Sequence, residues 1–239
     1  GPYEVWTQWG VSDDVICAGN DKALEFLQNV LGEIIDLFPS EYIHIGGDEV
    51  PRGAWQGKDL HQQYLRRVAE LALEKGVKIA GWQELAECSD EATAAVIQKV
   101  LFVTHVWNTM GQAGAELPYK LADKGYPVVL SNVDYTYADQ AYSSNKEEIA
   151  HSWAHYIDDT RALTMPIREN KNICGIQGQL LTETIRSFDD VCYDIFPKML
   201  GVFERAWNAE NGRDCSQFYS TIVYNEMPYW ELLGIRYHI

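Results

Sequence analysis

Two adjacent carboxylates, Asp48 and Glu49, carry the sharpest chemical signal in this 239-residue sequence. An apolar run at 42–45 predicts a short strand before them, and two glycines then relax the backbone. Neighbouring side chains of a regular strand point to opposite faces, so both carboxylates can serve one pocket only where the strand passes into a loop. Such a pair can supply general acid and base catalysis, although acidic residues in this position also cap helices or lie in water.

Strands and helices alternate along the chain and must position this pair. Helices are predicted at 21–38, 58–75, 92–99, 115–124, 188–207 and 215–224, and strands at 42–46, 77–82, 100–106, 127–131 and 173–177. The stretch 132–157 shows no clear regular element. The alternation indicates an α/β fold in which helices wrap a parallel sheet, either open or closed into a barrel. Because no linker or low-complexity run interrupts it, we expect a single domain over residues 1–239.

Polar and aromatic residues follow the carboxyl end of every predicted strand. They are Asp48 and Glu49, Trp82 and Glu84, Trp107 and Asn108, the stretch 134–139, and the stretch 179–183. Parallel α/β folds place their active sites at this edge of the sheet. The coincidence at successive strands favours a functional site over isolated helix caps.

Composition excludes several classes of partner. A net charge of −16 argues against nucleic acid and against anionic membrane surfaces, and no apolar run is long enough to span a bilayer. The five cysteines show no CxxC spacing and are predicted to be free thiols. His151 and His155 have the spacing of two metal ligands on a helix, but a third ligand and an intervening Glu are missing, so we expect no metal and no cofactor.

The motif His44-x-Gly46-Gly47-Asp48-Glu49 resembles the signature of the family 20 glycoside hydrolases, the β-N-acetylhexosaminidases. Similar segments of that family match residues 80–84, 105–108, 131–139, 175–178 and 203–207 in the same order. The opening stretch 9–15 is similar to the segment that follows the third barrel strand in bacterial members. The resemblance therefore spans essentially the whole chain.

The resemblance implies a (β/α)8 TIM-barrel fold, of which this chain holds about strands 4–8 as the C-terminal portion of the catalytic barrel. Strands 1–3 carry the Arg with which the family grips the sugar, and a five-stranded piece leaves two open sheet edges. We therefore expect a fragment of a longer enzyme that is weak or inactive alone, with the N-terminal part of the same barrel as its partner. Self-association that covers the edges is the other interpretation. Family members are commonly secreted or periplasmic, and we expect the same of the full-length protein.

The resemblance also implies a retaining, substrate-assisted mechanism that releases terminal GlcNAc or GalNAc from glycans or chitooligosaccharides. The nucleophile is the substrate's own 2-acetamido oxygen, which makes the family an exception to the scheme with a carboxylate nucleophile. Glu49 would be the general acid and base, and Asp48 would orient the acetamido group. Tyr137 would hold the acetamido oxygen through its hydroxyl, with Tyr135 as the rival two residues earlier.

Further positions match residues that bind the sugar in this family. Trp82 and Trp107 would offer apolar walls to the acetamido methyl group, and Asp139 and Glu183 would accept hydrogen bonds from sugar hydroxyls. Trp153 would stack on the second sugar.

One position departs from the family pattern, because Leu181 stands where a Trp usually closes the pocket. Leu keeps the wall apolar but removes a stacking face, which amounts to about 1–2 kcal/mol of binding. The departure leaves two alternatives open beside the hydrolase. One is a catalytically impaired fragment or sugar-binding module with the same partial pocket. The other is a different retaining glycosidase in which Asp48 or Glu49 is a covalent nucleophile.

Overall fold

The computed structural model describes residues 7–8, 10–13, 15–51, 59–142, 157–208 and 214–238. Five strands form one sheet in chain order, in which β1 with β2, β2 with β3, and β4 with β5 pair in parallel. The strands are β1 Tyr42–His44, β2 Lys78–Trp82, β3 Leu101–Val106, β4 Val128–Leu130 and β5 Ile173–Ile176. The predicted α/β fold with a parallel sheet is confirmed.

Helices separate the strands and continue beyond the last of them. They are α1 Asp21–Leu37, α2 Leu60–Lys75, α3 Glu91–Val100, α4 Gly111–Asp123, α5 Val133–Thr136, α6 Phe188–Ile195, α7 Lys198–Trp207, α8 Cys215–Thr221 and α9 Met227–Leu233. Short 3-10 turns lie at Gln83–Leu85 and Arg161–Thr164, and a π-helical turn at Ile222–Glu226 joins α8 to α9.

Capping residues set several helix boundaries where the sequence predicted them. The Asn20 side chain accepts a hydrogen bond from the Lys22 N–H at 3.0 Å at the start of α1. Gly76 ends α2 in the left-handed conformation with φ 70°. Two of the boundaries that differ from the prediction have a local cause. The helix expected over 188–207 is divided at Pro197, which has no N–H to donate, and α4 begins at Gly111, earlier than 115, because its glycines and proline hide a helical pattern.

The chain divides into two compact units, of which the first comprises Gly1–His105 and Lys124–Pro127. In this unit β1 pairs with β2 in the register Tyr42↔Lys78 to His44↔Ala80, and β2 pairs with β3 up to Trp82↔His105. Its core consists of apolar residues from the strands, from α2 and α3 and from the 3-10 turn after β2, among them Leu65, Ile79, Leu85 and Ile97, each with 0% exposure.

The second unit comprises Val106–Asp123 and Val128–Ile239. Here β4 pairs with β5 from Val128↔Ile173 to Leu130↔Ile176, with an irregularity after Val128. A further apolar cluster joins the C-terminal helices and contains Leu163, Phe218, Ile222 and Trp230. The single-domain assignment of residues 1–239 stays a prediction.

Membrane-spanning helices and metal-ligand clusters were sought among the residues that the structure describes. No helix there is long and apolar enough to cross a bilayer, and no group of three or more His, Cys, Asp or Glu residues there could hold a metal ion. All five cysteines are free, as their spacing indicated.

Candidate active site

The loop after β1 carries Asp48 and Glu49 out of the regular strand. β1 ends at His44, and Gly46 and Gly47 have φ values of 68° and 99°. Glu49 has φ 51°, and it is the only non-glycine residue with positive φ among those that the structure describes. Asp48 is half-buried and Glu49 is exposed. The prediction that the two carboxylates lie where the strand passes into a loop is confirmed.

The end of β2 fixes this loop through its backbone. The Ile45 N–H donates to the Ala80 carbonyl at 2.9 Å, and the Trp82 N–H donates to the Gly46 carbonyl at 3.0 Å. At Gly81 the two segments approach so closely that a Cβ atom would lie 2.8 Å from the Gly46 oxygen. A side chain at Gly81 would therefore push the loop after β1 away from β2.

Three rings form a cluster beside the loop. The His44 ring lies 5.2 Å from Trp82 in an edge-on arrangement and 5.1 Å from His105. His44 also accepts a hydrogen bond at Nδ1 from the Gly46 N–H at 3.2 Å, so its ring braces the turn. Burial, and then the charge of His44, lower the pKa of His105 to about 4. His105 is therefore neutral at pH 7, and the half-buried Trp82 ring lies beside two imidazole rings.

Glu84 brings a third carboxyl to this part of the first unit. It lies on the 3-10 turn Gln83–Leu85, and its Oε2 is buried without a hydrogen-bond partner among the described residues. Burial raises the pKa of Glu84 to about 7, and the negative charge of Asp48 adds to the rise. The backbone N–H groups of Glu84 itself and of Glu49 act on this pKa in the opposite direction.

In the second unit, Trp107 and Tyr137 are both buried, with exposed fractions of 8% and 3%. The Trp107 carbonyl accepts hydrogen bonds from the N–H groups of Thr109 at 2.9 Å and Val133 at 3.1 Å. This fixes the chain where β3 ends and α5 begins.

The loop after β4 is tied to the loop after β5. Tyr137 forms an isolated parallel bridge with Gln179, and the Ala138 N–H donates to the Gln179 carbonyl at 2.7 Å. The rival tyrosine, Tyr135, is half-buried beneath the guanidinium of Arg161, which lies 4.5 Å from its ring centroid. Tyr135 thus has a cation–π contact of its own.

Asp139 and Glu183 line one cavity of about 400 Å³ in the second unit. Asp190, Asp194 and Arg236 line it as well, and burial raises the pKa of Asp194 to about 6. Tyr137 instead lines a smaller cleft that includes Lys198 and Met199. Leu181 is half-buried two residues before the exposed Glu183.

The structure therefore places the predicted residues in two sets. Asp48, Glu49 and Trp82 belong to the first unit, whereas Trp107, Tyr137, Asp139, Leu181 and Glu183 belong to the second. Trp153, together with His151 and His155, lies outside the described residues.

Two residues that lie near the predicted site residues, Glu84 and Lys198, were given no role in the prediction from sequence. Glu84 stands just beyond the end of β2, so its position was a usable signal, but its burial was not visible. Lys198 is 4% exposed and donates to the Ala138 carbonyl, and no local pattern distinguishes it from a surface lysine.

Known protein families and proteins match most of this chain, including the residues described above. The family model described as glycosyl hydrolase family 20, catalytic domain, matches residues 2–210. A β-hexosaminidase of Porphyromonas gingivalis is 28% identical over 260 residues, which cover 97% of this chain and 31% of that protein.

Two solved structures resemble the fold. One is a GH20 exo-β-N-acetylglucosaminidase from Vibrio harveyi in complex with N-acetylglucosamine, with a TM-score of 0.80, 27% identity, and coverage of 95% of this chain and 37% of that one. The other is a β-N-acetylhexosaminidase from Bacteroides fragilis, with a TM-score of 0.73 and 27% identity. The match covers 92% of this chain and 46% of that one. With the five-stranded parallel sheet, these neighbours confirm the predicted fold class of a partial barrel. The chain spans less than half the length of each of these three proteins.

Proposed function

This chain belongs to glycosyl hydrolase family 20, and from that membership we propose that the natural protein containing it is an exo-β-N-acetylhexosaminidase. Its substrates are glycans or chitooligosaccharides that end in β-linked GlcNAc or GalNAc. The observation that carries the proposal is the placement of Asp48 and Glu49 on the irregular loop after β1, inside the span that the family model matches. A regular strand would point the two carboxylates to opposite faces.

The proposed reaction retains the anomeric configuration. Glu49 donates a proton to the glycosidic oxygen while the bond from that oxygen to the anomeric carbon breaks. The substrate's acetamido oxygen forms a bond to the same carbon, giving an oxazolinium ion. Asp48 orients the acetamido group and balances its positive charge. Glu49 then takes a proton from water, the water oxygen bonds to the anomeric carbon, and the bond from that carbon to the acetamido oxygen breaks, which restores the acetamido group.

The remaining assignments concern sugar binding. The Tyr137 hydroxyl binds the acetamido oxygen. The rings of Trp82 and Trp107 pack against the acetamido methyl group. Asp139 and Glu183 accept hydrogen bonds from the sugar hydroxyls. This role is supported by the fact that both residues line one cavity. Trp153 is assigned to the second sugar.

The primary test uses a chromogenic β-GlcNAc substrate with the longest natural protein that contains these residues. We expect Glu49→Gln and Asp48→Asn each to lower kcat by about 10²-fold or more, the range typical of lost acid or base catalysis. Glu74→Gln, an exposed carboxylate change on α2, serves as the matched control. Wild-type activity in both site variants would remove these roles.

Two further measurements separate the mechanisms. An acetamido-thiazoline inhibitor should bind competitively, because it resembles the oxazolinium ion. A 2-fluoro sugar should leave no covalent glycosyl-enzyme; trapping one on Asp48 or Glu49 would favour the carboxylate-nucleophile mechanism instead.

A sugar-binding module without turnover is the second candidate, and Leu181 in place of the family's Trp favours it. Such a module would bind the thiazoline measurably while the natural protein never hydrolyses a glycoside. For the 239 residues alone we expect little or no turnover, since they span 31% of the Porphyromonas gingivalis relative. Normal turnover by a verified 239-residue sample would contradict this expectation.

A further inference from the structure

The segment 234–238 follows α9 and has no role in the proposed reaction. We propose that its His238 is a positioning residue for Asp139. It acts through two side chains that contact each other, those of Tyr142 and Lys198. The inference rests on the proposed function, because it deepens the assignment of Asp139 to the sugar hydroxyls.

Contacts with α6 and with the residue that follows it hold this segment in place. Nη1 of Arg236 lies 3.6 Å from Oδ1 of Asp190, and the guanidinium carbon lies 4.7 Å from the ring centroid of Tyr193. The His238 N–H donates to the Phe196 carbonyl at 3.0 Å. The backbone at His238 is therefore fixed independently of the imidazole, so a change of this side chain alone tests the ring.

The ring of Tyr142 is enclosed between two groups. The His238 ring lies parallel to it, with 3.7 Å between the centroids and 9° between the planes. The Lys198 ammonium lies 3.6 Å from the same centroid. Because the imidazole covers one face of the tyrosine at van der Waals distance, the ammonium lies over the other face. Without the imidazole, Tyr142 would lose the support that presses it against Lys198.

Lys198 connects these rings to the Asp139 loop. Its ammonium donates hydrogen bonds to the carbonyls of Ala138 and Gln140, the residues on either side of Asp139. Tyr142 and Asp139 also line the same cavity. A side chain that binds a ligand keeps its geometry only if the groups behind it are packed in place. The position of Asp139 therefore depends on Lys198, and that of Lys198 on the stacked rings.

A buried carboxylate orients the imidazole. Asp159 is 4% exposed, its Oδ2 lies 3.5 Å from Nδ1 of His238, and the same oxygen accepts a hydrogen bond from the Tyr219 hydroxyl at 3.1 Å. Asp159 thus faces the edge of the imidazole, whereas Tyr142 contacts its face. The two contacts can be removed separately. His238→Phe keeps a flat ring on Tyr142, and His238→Asn keeps a polar group towards Asp159.

Binding of the acetamido-thiazoline inhibitor to the natural protein, measured by calorimetry, tests the proposal without relying on turnover. We expect His238→Phe to bind within about twofold of wild type and His238→Asn to bind about 5–10-fold more weakly. Circular dichroism checks that each variant folds, and His238→Gln replaces an Asn variant that does not. A Phe variant that binds as weakly as the Asn variant, or an Asn variant that binds like wild type, overturns the proposal.

A double-mutant cycle tests the route through Asp139. In the Asp139→Asn background, adding His238→Asn should change the affinity by less than about twofold, because the group that it positions is already lost. In the control background Glu74→Gln, the full 5–10-fold loss should remain. An equal loss in both backgrounds overturns the positioning role. A wild type that binds the inhibitor but hydrolyses no glycoside overturns the proposed function alone, since the cycle requires only binding.

Discussion

The ammonium group of Lys198 donates a hydrogen bond to the backbone carbonyl of Ala138 at 2.9 Å, from a side chain that is 4% exposed. A second hydrogen bond from the same group reaches the Gln140 carbonyl. The ammonium also lies 3.6 Å from the ring centroid of Tyr142. One lysine at the start of α7 therefore fixes both carbonyls that flank Asp139, a residue we assign to the sugar hydroxyls.

Replacing this lysine should loosen the Asp139 loop. Lys198→Met keeps the length and apolar stem of the side chain but leaves two carbonyls without their donor, so we expect a loss of about 2–4 kcal/mol in the free energy of unfolding. KM in the natural protein should rise while kcat changes less. Urea unfolding and steady-state kinetics measure the two effects, with Lys198→Arg as a control that keeps the charge and donors. A Met variant as stable as wild type would contradict this account.

The left-handed backbone of Glu49 predicts that a glycine variant at this position is more stable than an alanine variant. Replacing Ala by Gly usually costs about 0.5–1 kcal/mol through backbone entropy. At a position with φ 51° the order should reverse, because only Gly adopts this conformation without steric cost. We expect Glu49→Gly to unfold with a free energy about 1 kcal/mol higher than Glu49→Ala, with both variants inactive. Since both lack the carboxylate, their difference reports the backbone alone, and Glu49→Ala as the more stable variant would show that the left-handed conformation is not retained.

Features with a local cause were predictable from a local pattern. The cap at Asn20 and the glycine end at Gly76 depend on neighbouring residues only, and both lie where the sequence placed them. The loop at Asp48 was also readable, because two glycines before two carboxylates argue against a regular strand.

The remaining features depend on residues that are distant along the chain. The loop that carries the left-handed Glu49 is hydrogen-bonded to β2 through Ile45 and Gly46, so the sequence neighbours of Glu49 do not show its conformation. Lysine is ordinarily exposed, and the burial of Lys198 depends on carbonyls about 60 residues earlier. The short helix α5 lies in a stretch that showed no periodicity, because four residues are too few to show one.

His105 should make the first unit sensitive to acid. Its pKa is about 4 in the folded protein and 6.5 for a histidine in an unfolded chain, so the unfolded chain binds the proton first as the pH falls. Its contribution to stability is therefore complete above pH 6.5 and is lost as the pH falls towards 4, by about 2–3 kcal/mol.

The measurement is the free energy of unfolding from pH 4 to pH 7 in wild type and in His105→Gln. The raised pKa of Glu84 acts in the opposite direction, so the difference between the two proteins isolates the histidine. We expect the wild type to lose more stability than the variant as the pH falls. Parallel curves would show that His105 is not buried as a neutral ring.

Leu181 provides the sharpest test of how the pocket departs from the family pattern. If Leu181 occupies the wall that a Trp usually forms, Leu181→Trp adds a stacking face for the terminal sugar, worth about 1–2 kcal/mol. That corresponds to an affinity increase of about 5–30-fold for N-acetylglucosamine or a thiazoline inhibitor, measured by calorimetry on the natural protein. Leu181→Met keeps the volume without an aromatic face and should bind like wild type. Leu181 is half-buried, so part of the residue is exposed to solvent. Equal affinity in the Trp and Met variants would mean that Leu181 does not contact the sugar.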